Sequence, residues 1–240
     1  MKHVLCCDAS TDEVSISWTV YDDAEIIVDT AIVSYKLSRT RGRNEFFVPA
    51  VEHVRTLVNG TYDALSCICC TTGPGSFTGL RNVFAFVKGL LASHKHHAPL
   101  QAVGVRTHDA IAHCYKHALT KEKPLLVLTD ARSNRYYGAL YHHEYKNTND
   151  IALYQSVEIH DYKIDDIIAL VKPCASLHCV GNTNIVPTLA SRIPTCTITS
   201  LESTSYTIIE AVRALGLFYY HENIHTITTL SEPLYIRAAV

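Results

Sequence analysis

The sequence has no long apolar run and no excess of charge of either sign. None of its apolar runs approaches the about 18 residues that indicate a membrane span. The start, Met1 to Asp8, is too short and too soon acidic for a signal peptide. Lysine and arginine total 21 against 23 acidic residues, a formal net charge of -2. We therefore expect a soluble, cytoplasmic protein without a membrane partner and without a general affinity for nucleic acid.

The composition also excludes two other classes of protein. Hydrophobic residues make up 48% of the chain and charged residues only 18%, which excludes a disordered protein. Nine cysteines are an odd number, and several are adjacent within apolar segments, such as Cys6 with Cys7 and Cys69 with Cys70. A secreted disulfide scaffold has an even set in a short chain. The cysteines are therefore predicted to be reduced core residues.

The 240 residues fit one large domain or two small ones. Hydrophobic periodicity predicts three strands, a helix and a strand in the first half, and the same order in the second. The predicted strands are 4–7, 14–20 (half exposed), 25–33, 65–71 and 101–105, then 125–129, 136–141, 151–159 and 177–180. The predicted helices are 47–58, 80–93, 107–119 and 165–171.

The first strand of each half ends in an aspartate, Asp8 or Asp130. Two ribonuclease-H-like subdomains, residues 1–105 and 106–240, explain both the repeated order and this match. That duplicated arrangement is the α/β actin-like (ASKHA) fold. A single mixed α/β domain is the alternative.

A glycine-rich loop joins a buried strand to a helix. It comprises Gly73, Pro74, Gly75, Ser76, Phe77, Thr78 and Gly79, and Leu80 and Arg81 follow it. The spacing of its glycines fits neither a dinucleotide fingerprint nor a P-loop nor a nucleophile elbow. Two interpretations remain. The loop binds an anion at the helix N-terminus, or its glycines let the strand and the helix pack closely.

This GPGSFTGLR loop resembles the signature of the bacterial TsaB (YeaZ) family, which takes part in the threonylcarbamoyladenosine modification of tRNA. Further segments are similar to that family in the same order. They are DAST at 8–11, RNEFFVPAVEHV at 43–54, Lys88-Gly89, DARSNRYYGALY at 130–141, and Pro233-Leu234-Tyr235-Ile236-Arg237. The resemblance spans nearly the whole chain and implies the actin-like fold.

The resemblance also implies which residues correspond to the phosphate-binding turns of actin-like ATPases. Such a turn carries Asp-x-Gly, whereas this chain has Asp8, Ser10 and Thr11 in one turn and Asp130 and Arg132 in the other. A Cβ in each turn is expected to obstruct a phosphate. At the metal position of the catalytic paralogue, TsaD, the chain carries Thr107 and Ile111. No catalytic residue, cofactor or metal is therefore expected, although His113 and His117, four residues apart, are a weaker candidate pair for zinc.

By resemblance, the chain is a non-catalytic subunit that stabilises and activates TsaD, with TsaE as the ATPase partner. It would contact tRNA through the complex and form a homodimer in isolation. The interface is predicted on the two helices of the first half, at Phe46, Phe47, Phe84, Val87 and Leu91. The basic run Lys36, Arg39, Arg41 and Arg43 is either a solvated loop or a loop that faces tRNA or a partner protein. The alternative functions are a metal-dependent peptidase or glycoprotease and an actin-like ATP-dependent enzyme.

Overall fold

A computed structural model describes residues 1–36, 44–94, 100–120, 122–144, 152–201, 206–222, 233–234 and 236. Its strands are β1 (Lys2–Asp8), β2 (Glu13–Tyr21), β3 (Ile27–Lys36), β4 (Leu65–Gly73), β5 (Gln101–Arg106), β6 (Leu125–Asp130), β7 (Tyr136–Glu144), β8 (Ala152–Tyr162), β9 (Ser176–Gly181) and β10 (Thr197–Ser200). Its α-helices are α1 (Asn44–Leu57), α2 (Phe77–Ser93), α3 (Thr107–Cys114), α4 (Ile164–Val171), α5 (Val186–Arg192) and α6 (Ile208–His221). These elements form two compact units, Met1–Thr107 with Ile208–Leu234, and His108–Thr207 with Tyr235–Val240.

The first unit is built on a five-stranded sheet in the order β3-β2-β1-β4-β5. Strands β1, β4 and β5 are parallel, while β2 and β3 form an antiparallel hairpin beside them. On one face, side chains of α1 and α2 share a core with alternate strand residues such as Ile68 and Cys70. On the opposite face, α6 approaches so closely that a Cβ on Gly216 would lie 2.6 Å from that of Cys69. Helices therefore cover both faces of this sheet.

Because helices cover both faces of the sheet, β2 is more buried than its sequence predicts. All seven residues from Val14 to Val20 are buried, although alternation of apolar and hydroxyl side chains predicted one exposed face. Trp18 lies in the core beneath α1, whereas the Thr19 hydroxyl accepts a hydrogen bond from Arg213 of α6. The hydroxyl face is therefore buried by a helix that lies far away in the sequence.

The second unit repeats the topology of the first. Its sheet has the order β10-β9-β6-β7-β8, in which β7 and β8 form the hairpin and β9 and β10 run parallel to β6. Ile167 and Val171 of α4 and Leu189 of α5 pack in a core with residues of β6 and β9. The shared strand order confirms the predicted α/β actin-like fold.

Several elements of the chain differ from the sequence-based expectation. Helix α3 ends at Cys114, and a short 3-10 turn, Lys116–Ala118, follows it, so His113 and His117 do not share one helix face. Strand β10 and helices α5 and α6 were not predicted. Because α6 packs on the first sheet, it belongs to the first unit rather than with residues 106–240.

No helix among the described residues is long and apolar enough to cross a membrane.

Candidate functional site

Asp8 occupies the end of β1, where the sequence predicted a degenerate phosphate turn. Its carboxylate is almost fully buried, and one oxygen accepts hydrogen bonds from the Ser10 backbone N–H (3.0 Å) and the Thr71 hydroxyl (2.7 Å). Burial raises the pKa of Asp8 above its usual value, and these bonds partly oppose that rise. Asp8 therefore fixes its own turn to the neighbouring strand β4.

The glycine-rich loop lies directly against this turn. The Ser76 N–H donates a hydrogen bond to the Ser10 carbonyl oxygen at 2.6 Å. A Cβ on Gly75 would lie 2.9 Å from the Ser10 carbonyl carbon, and one on Gly79 would overlap the Ala9 carbonyl oxygen. Glycine is required at both positions because two backbone segments touch there.

The loop also uses its own donors at the start of α2. The Ser76 hydroxyl caps the helix by accepting from the Gly79 N–H at 3.3 Å, and the Leu80 N–H donates to the Ser76 carbonyl at 2.9 Å. The guanidinium of Arg81 lies over the Phe77 ring at 4.0 Å. These contacts favour the close-packing interpretation of the loop over anion binding.

The far end of the chain contacts the start of the same loop. The Leu234 N–H donates to the Thr72 carbonyl oxygen at 2.7 Å. Gly73 has a φ of +106°, and a Cβ there would lie 3.0 Å from the Leu234 carbonyl oxygen. The Pro-Leu pair of the predicted family ending therefore lies beside the glycine-rich loop of the first unit.

The second predicted turn joins β6 to β7. Asp130 is exposed, and its carboxylate accepts a hydrogen bond from the Arg132 N–H at 2.7 Å. Arg132, Ser133 and Asn134 all have a positive φ, between 52° and 62°, although none of them is glycine. Arg135 closes the base of the hairpin through Asp161, at 2.7 Å from its carboxylate. The turn thus keeps the aspartate of a phosphate turn, but it is followed by three non-glycine residues in the left-handed region.

The structure corrects three of the five predicted interface residues. Phe47, Phe84 and Val87 are at most 3% exposed and belong to the core of the first unit. The Phe47 ring meets Phe86 of α2 edge-on at 5.3 Å between centroids. These side chains hold α1 and α2 against the sheet and present no surface to a partner. Phe46 and Leu91 are half-buried, and their place in a partner interface stays a prediction.

A different set of residues is exposed on these helices. Val48 and Leu57 of α1 are 50% and 56% exposed, and Ala85 and Gly89 of α2 are exposed as well. No heavy atom lies within 4 Å of a Cβ built on Gly89. We call Val48, Leu57, Ala85 and Gly89 the helix-pair surface. The sequence analysis assigned the large apolar residues of α2 to an interface, but those residues lie in the core. The exposed side of α2 instead carries the small residues at 85, 89 and 92.

Thiol and metal chemistry find little support in the part of the chain that the structure describes. No group of three His, Cys, Asp or Glu residues there could hold a metal ion. Cys67, Cys69 and Cys70 are buried on β4, and burial raises the pKa of Cys70 to about 12, which disfavours a thiolate. Lys36 is exposed at the end of β3, and Arg39, Arg41 and Arg43 lie outside the described residues.

Comparison with known proteins identifies the family and the fold of this chain. Residues 40–167, more than half of the chain, match the family described as TsaD: tRNA N6-adenosine threonylcarbamoyltransferase. No curated protein matches the sequence. Two solved structures from Pseudomonas aeruginosa are similar at 18% identity. One is called an uncharacterized protein with similarity to peptidase YEAZ, with a TM-score of 0.73 over 99% of this chain and 100% of that one. The other is called YeaZ, with a TM-score of 0.69 over 98% and 100%. This chain therefore belongs to the TsaD family and has the fold of YeaZ, which confirms the TsaB-like resemblance of its glycine-rich loop.

Proposed function

We propose that this chain is a non-catalytic subunit of the complex that transfers threonylcarbamoyl to adenosine 37 of tRNA. The family match supports the reaction, and the TsaB-like fold supports the accessory role. In this role the chain stabilises and activates the catalytic paralogue TsaD. TsaE supplies ATP hydrolysis, and tRNA is contacted through the assembled complex in the cytoplasm.

The contact between the glycine-rich loop and the Asp8 turn carries the non-catalytic proposal. A phosphate-binding turn needs free backbone donors and space for the phosphate. Here the Ser10 carbonyl oxygen receives the Ser76 N–H at 2.6 Å, and Gly75 and Gly79 lie on the backbone of Ala9 and Ser10. The Asp8 carboxylate is already occupied by Ser10 and Thr71. The chain's own loop therefore fills the approach to this turn.

The helix-pair surface supports the partner proposal. Exposed Ala85 and Gly89 would let a partner helix approach the backbone of α2 closely, and Val48 and Leu57 are exposed apolar residues on two sides of α1, which shares a core with α2. Such a surface fits a helix pair of TsaD, or that of a second copy when TsaD is absent. Of the residues predicted for the interface, Phe46 and Leu91 are half-buried and could still contribute to this contact.

Co-purification with TsaD tests both parts of the proposal. We expect transfer to tRNA by TsaD and TsaE to require this chain, and the chain alone to show neither transfer nor ATP hydrolysis. Val48→Asp should weaken TsaD binding, because it places an unpaired charge in an apolar contact. Phe218→Asp is the matched control, since Phe218 is 55% exposed on α6. Full transfer without this chain, or equal binding by both variants, would contradict the proposal.

The same preparation separates the alternative functions. An actin-like ATP-dependent enzyme should hydrolyse ATP by itself and lose that activity in Asp8→Ala. A metal-dependent peptidase should bind metal stoichiometrically and cleave a peptide in a chelator-sensitive way. Either result from the isolated chain would replace the accessory role.

A further inference from the structure

A pocket lies between the first sheet and the last turn of α6. Its most buried lining residues are Val4 of β1 and Cys67 of β4, each at most 2% exposed, and Leu217 of α6 also lines it. The Cys67 sulfur lies 3.8 Å from that of Cys69, the residue that α6 approaches at Gly216. The pocket is therefore on the face of the sheet opposite α1 and α2, and it shares no residue with the helix-pair surface.

The space inside the pocket fits one small apolar group. Its volume is about 140 Å³, close to that of an engineered apolar cavity of about 150 Å³ that binds benzene. Tyr21 and Tyr220 complete the wall, and neither phenol forms a hydrogen bond with a described residue. Burial raises the pKa of Tyr21 to about 12, so its hydroxyl stays protonated. The buried end thus suits an apolar group, and the phenols are available to a polar one.

The mouth of the pocket carries charges of both signs. Lys2 and Glu25 are about half exposed there and form an ion pair of 2.9 Å, and the imidazole Nε2 of His221 lies 3.7 Å from the second Glu25 oxygen. Among the described residues, Glu25 is the only hydrogen-bond partner of the Lys2 ammonium, which leaves two of its three donors for another group. The Glu25 carboxylate also keeps free acceptor positions. A further carboxylate at Lys2 and a further ammonium at Glu25 would therefore both be accommodated.

We propose that this pocket binds a free α-amino acid with an apolar side chain, for which L-phenylalanine is the probe. The α-carboxylate pairs with Lys2, the α-ammonium pairs with Glu25, and the side chain enters the space beside Val4 and Cys67. An α-amino acid carries both charges on one carbon atom, so they match an ammonium and a carboxylate that are 2.9 Å apart. A ligand with a single charge would pair with one of these groups and meet a like charge at the other.

NMR titration of the isotope-labelled full chain tests the class of ligand. We expect L-phenylalanine to bind with a Kd on the order of 1 mM, as fits so small a ligand. Three related compounds each lack one part: 3-phenylpropionate the ammonium, 2-phenylethylamine the carboxylate, and L-alanine the ring. Each should bind at least about ten-fold more weakly, because it loses a charged hydrogen bond or the apolar contact. Absence of saturable L-phenylalanine binding, or equally tight binding of any of the three, would overturn the proposal.

A pair of substitutions in α6 tests the location of the site. Leu217→Trp fills the pocket and should abolish the binding of L-phenylalanine. Phe218→Trp is the matched control, since Phe218 is the next residue, is 55% exposed and does not line the pocket. Binding that survives in Leu217→Trp, or that is lost in Phe218→Trp, would show that the ligand lies elsewhere and would overturn the proposal.

A second pair of substitutions tests the charges at the mouth. Glu25→Gln should weaken L-phenylalanine binding at least about ten-fold and leave 3-phenylpropionate bound no more weakly than before. Asp23→Asn is the control, because Asp23 is an exposed carboxylate of the same turn that does not line the pocket. Equal effects of the two substitutions would overturn the proposal. Circular dichroism shows that each variant is folded, and Glu25 is exposed enough for this pair to decide the question if Leu217→Trp fails to fold.

Discussion

Gly79 and Gly89 lie in the same helix, α2, yet an added methyl group should have opposite effects at the two positions. A Cβ on Gly79 would overlap the Ala9 carbonyl oxygen and lie 3.0 Å from its carbonyl carbon, whereas one on Gly89 would meet nothing within 4 Å. Helix propensity favours alanine over glycine by up to about 1 kcal/mol at both sites. Only Gly79→Ala must also displace the Ala9–Ser10 backbone.

The size of the effect follows from these contacts. Overpacking costs about 1 to 3 kcal/mol, and losing the Ser76 to Ser10 hydrogen bond costs about 1 kcal/mol more. After a gain of about 1 kcal/mol in helix propensity, we expect Gly79→Ala to lower the free energy of unfolding by about 1 to 3 kcal/mol. Gly89→Ala should raise it by about 0.5 to 1 kcal/mol. Each kcal/mol corresponds to about 2 to 4 °C in Tm for a chain of this size.

Urea unfolding followed by Trp18 fluorescence measures the difference. Trp18 is the only tryptophan of the chain and is fully buried in the first unit, so its emission reports on the unit that contains both glycines. If Gly79→Ala were as stable as Gly89→Ala, the loop would not be packed on the Asp8 turn. The close-packing explanation of the GPGSFTG motif would then be refuted.

Three further outcomes are expected. Burial, with a smaller effect of Lys116, lowers the pKa of His113 to about 4 from 6.5. Because the unfolded chain takes up this proton near pH 6.5 and the folded chain only near pH 4, the free energy of unfolding should fall by about 3 kcal/mol between pH 6.5 and 4. Urea unfolding followed by circular dichroism should show a smaller fall for His113→Gln. Thiol titration of the native chain should detect Cys174 first, because the other eight cysteines are buried, and all nine after denaturation; several fast thiols would contradict the burial. Ser76→Ala should cost about 1 kcal/mol of stability through its lost helix cap and leave TsaD binding unchanged, whereas loss of a chemical step with intact assembly would make Ser76 catalytic.

Local patterns were enough to predict much of the fold. Unbroken apolar runs identify β1 and β4, and the 3.6-residue periodicity identifies α1 and α2, because each of these elements buries a face that its own sequence defines. The glycine-rich loop was also recognisable, since its nine residues form a continuous motif. Its packing role was not, because the atoms that exclude a Cβ belong to Ala9 and Ser10, more than sixty residues earlier.

The burial of β2 and the exposed side of α2 depend on elements that are distant in the sequence. Alternation in β2 predicts one solvated face, but α6 covers that face, and Arg213 donates hydrogen bonds to Thr19 of β2 and Thr30 of β3. Phe84 and Gly89 belong to one helix, and only packing on the sheet decides that the phenylalanine is buried and the glycine exposed. The sequence by itself thus determined most of the strands and helices, their repeat and the family motif. The tertiary structure decided which faces are covered, because burial depends on which distant segments pack together.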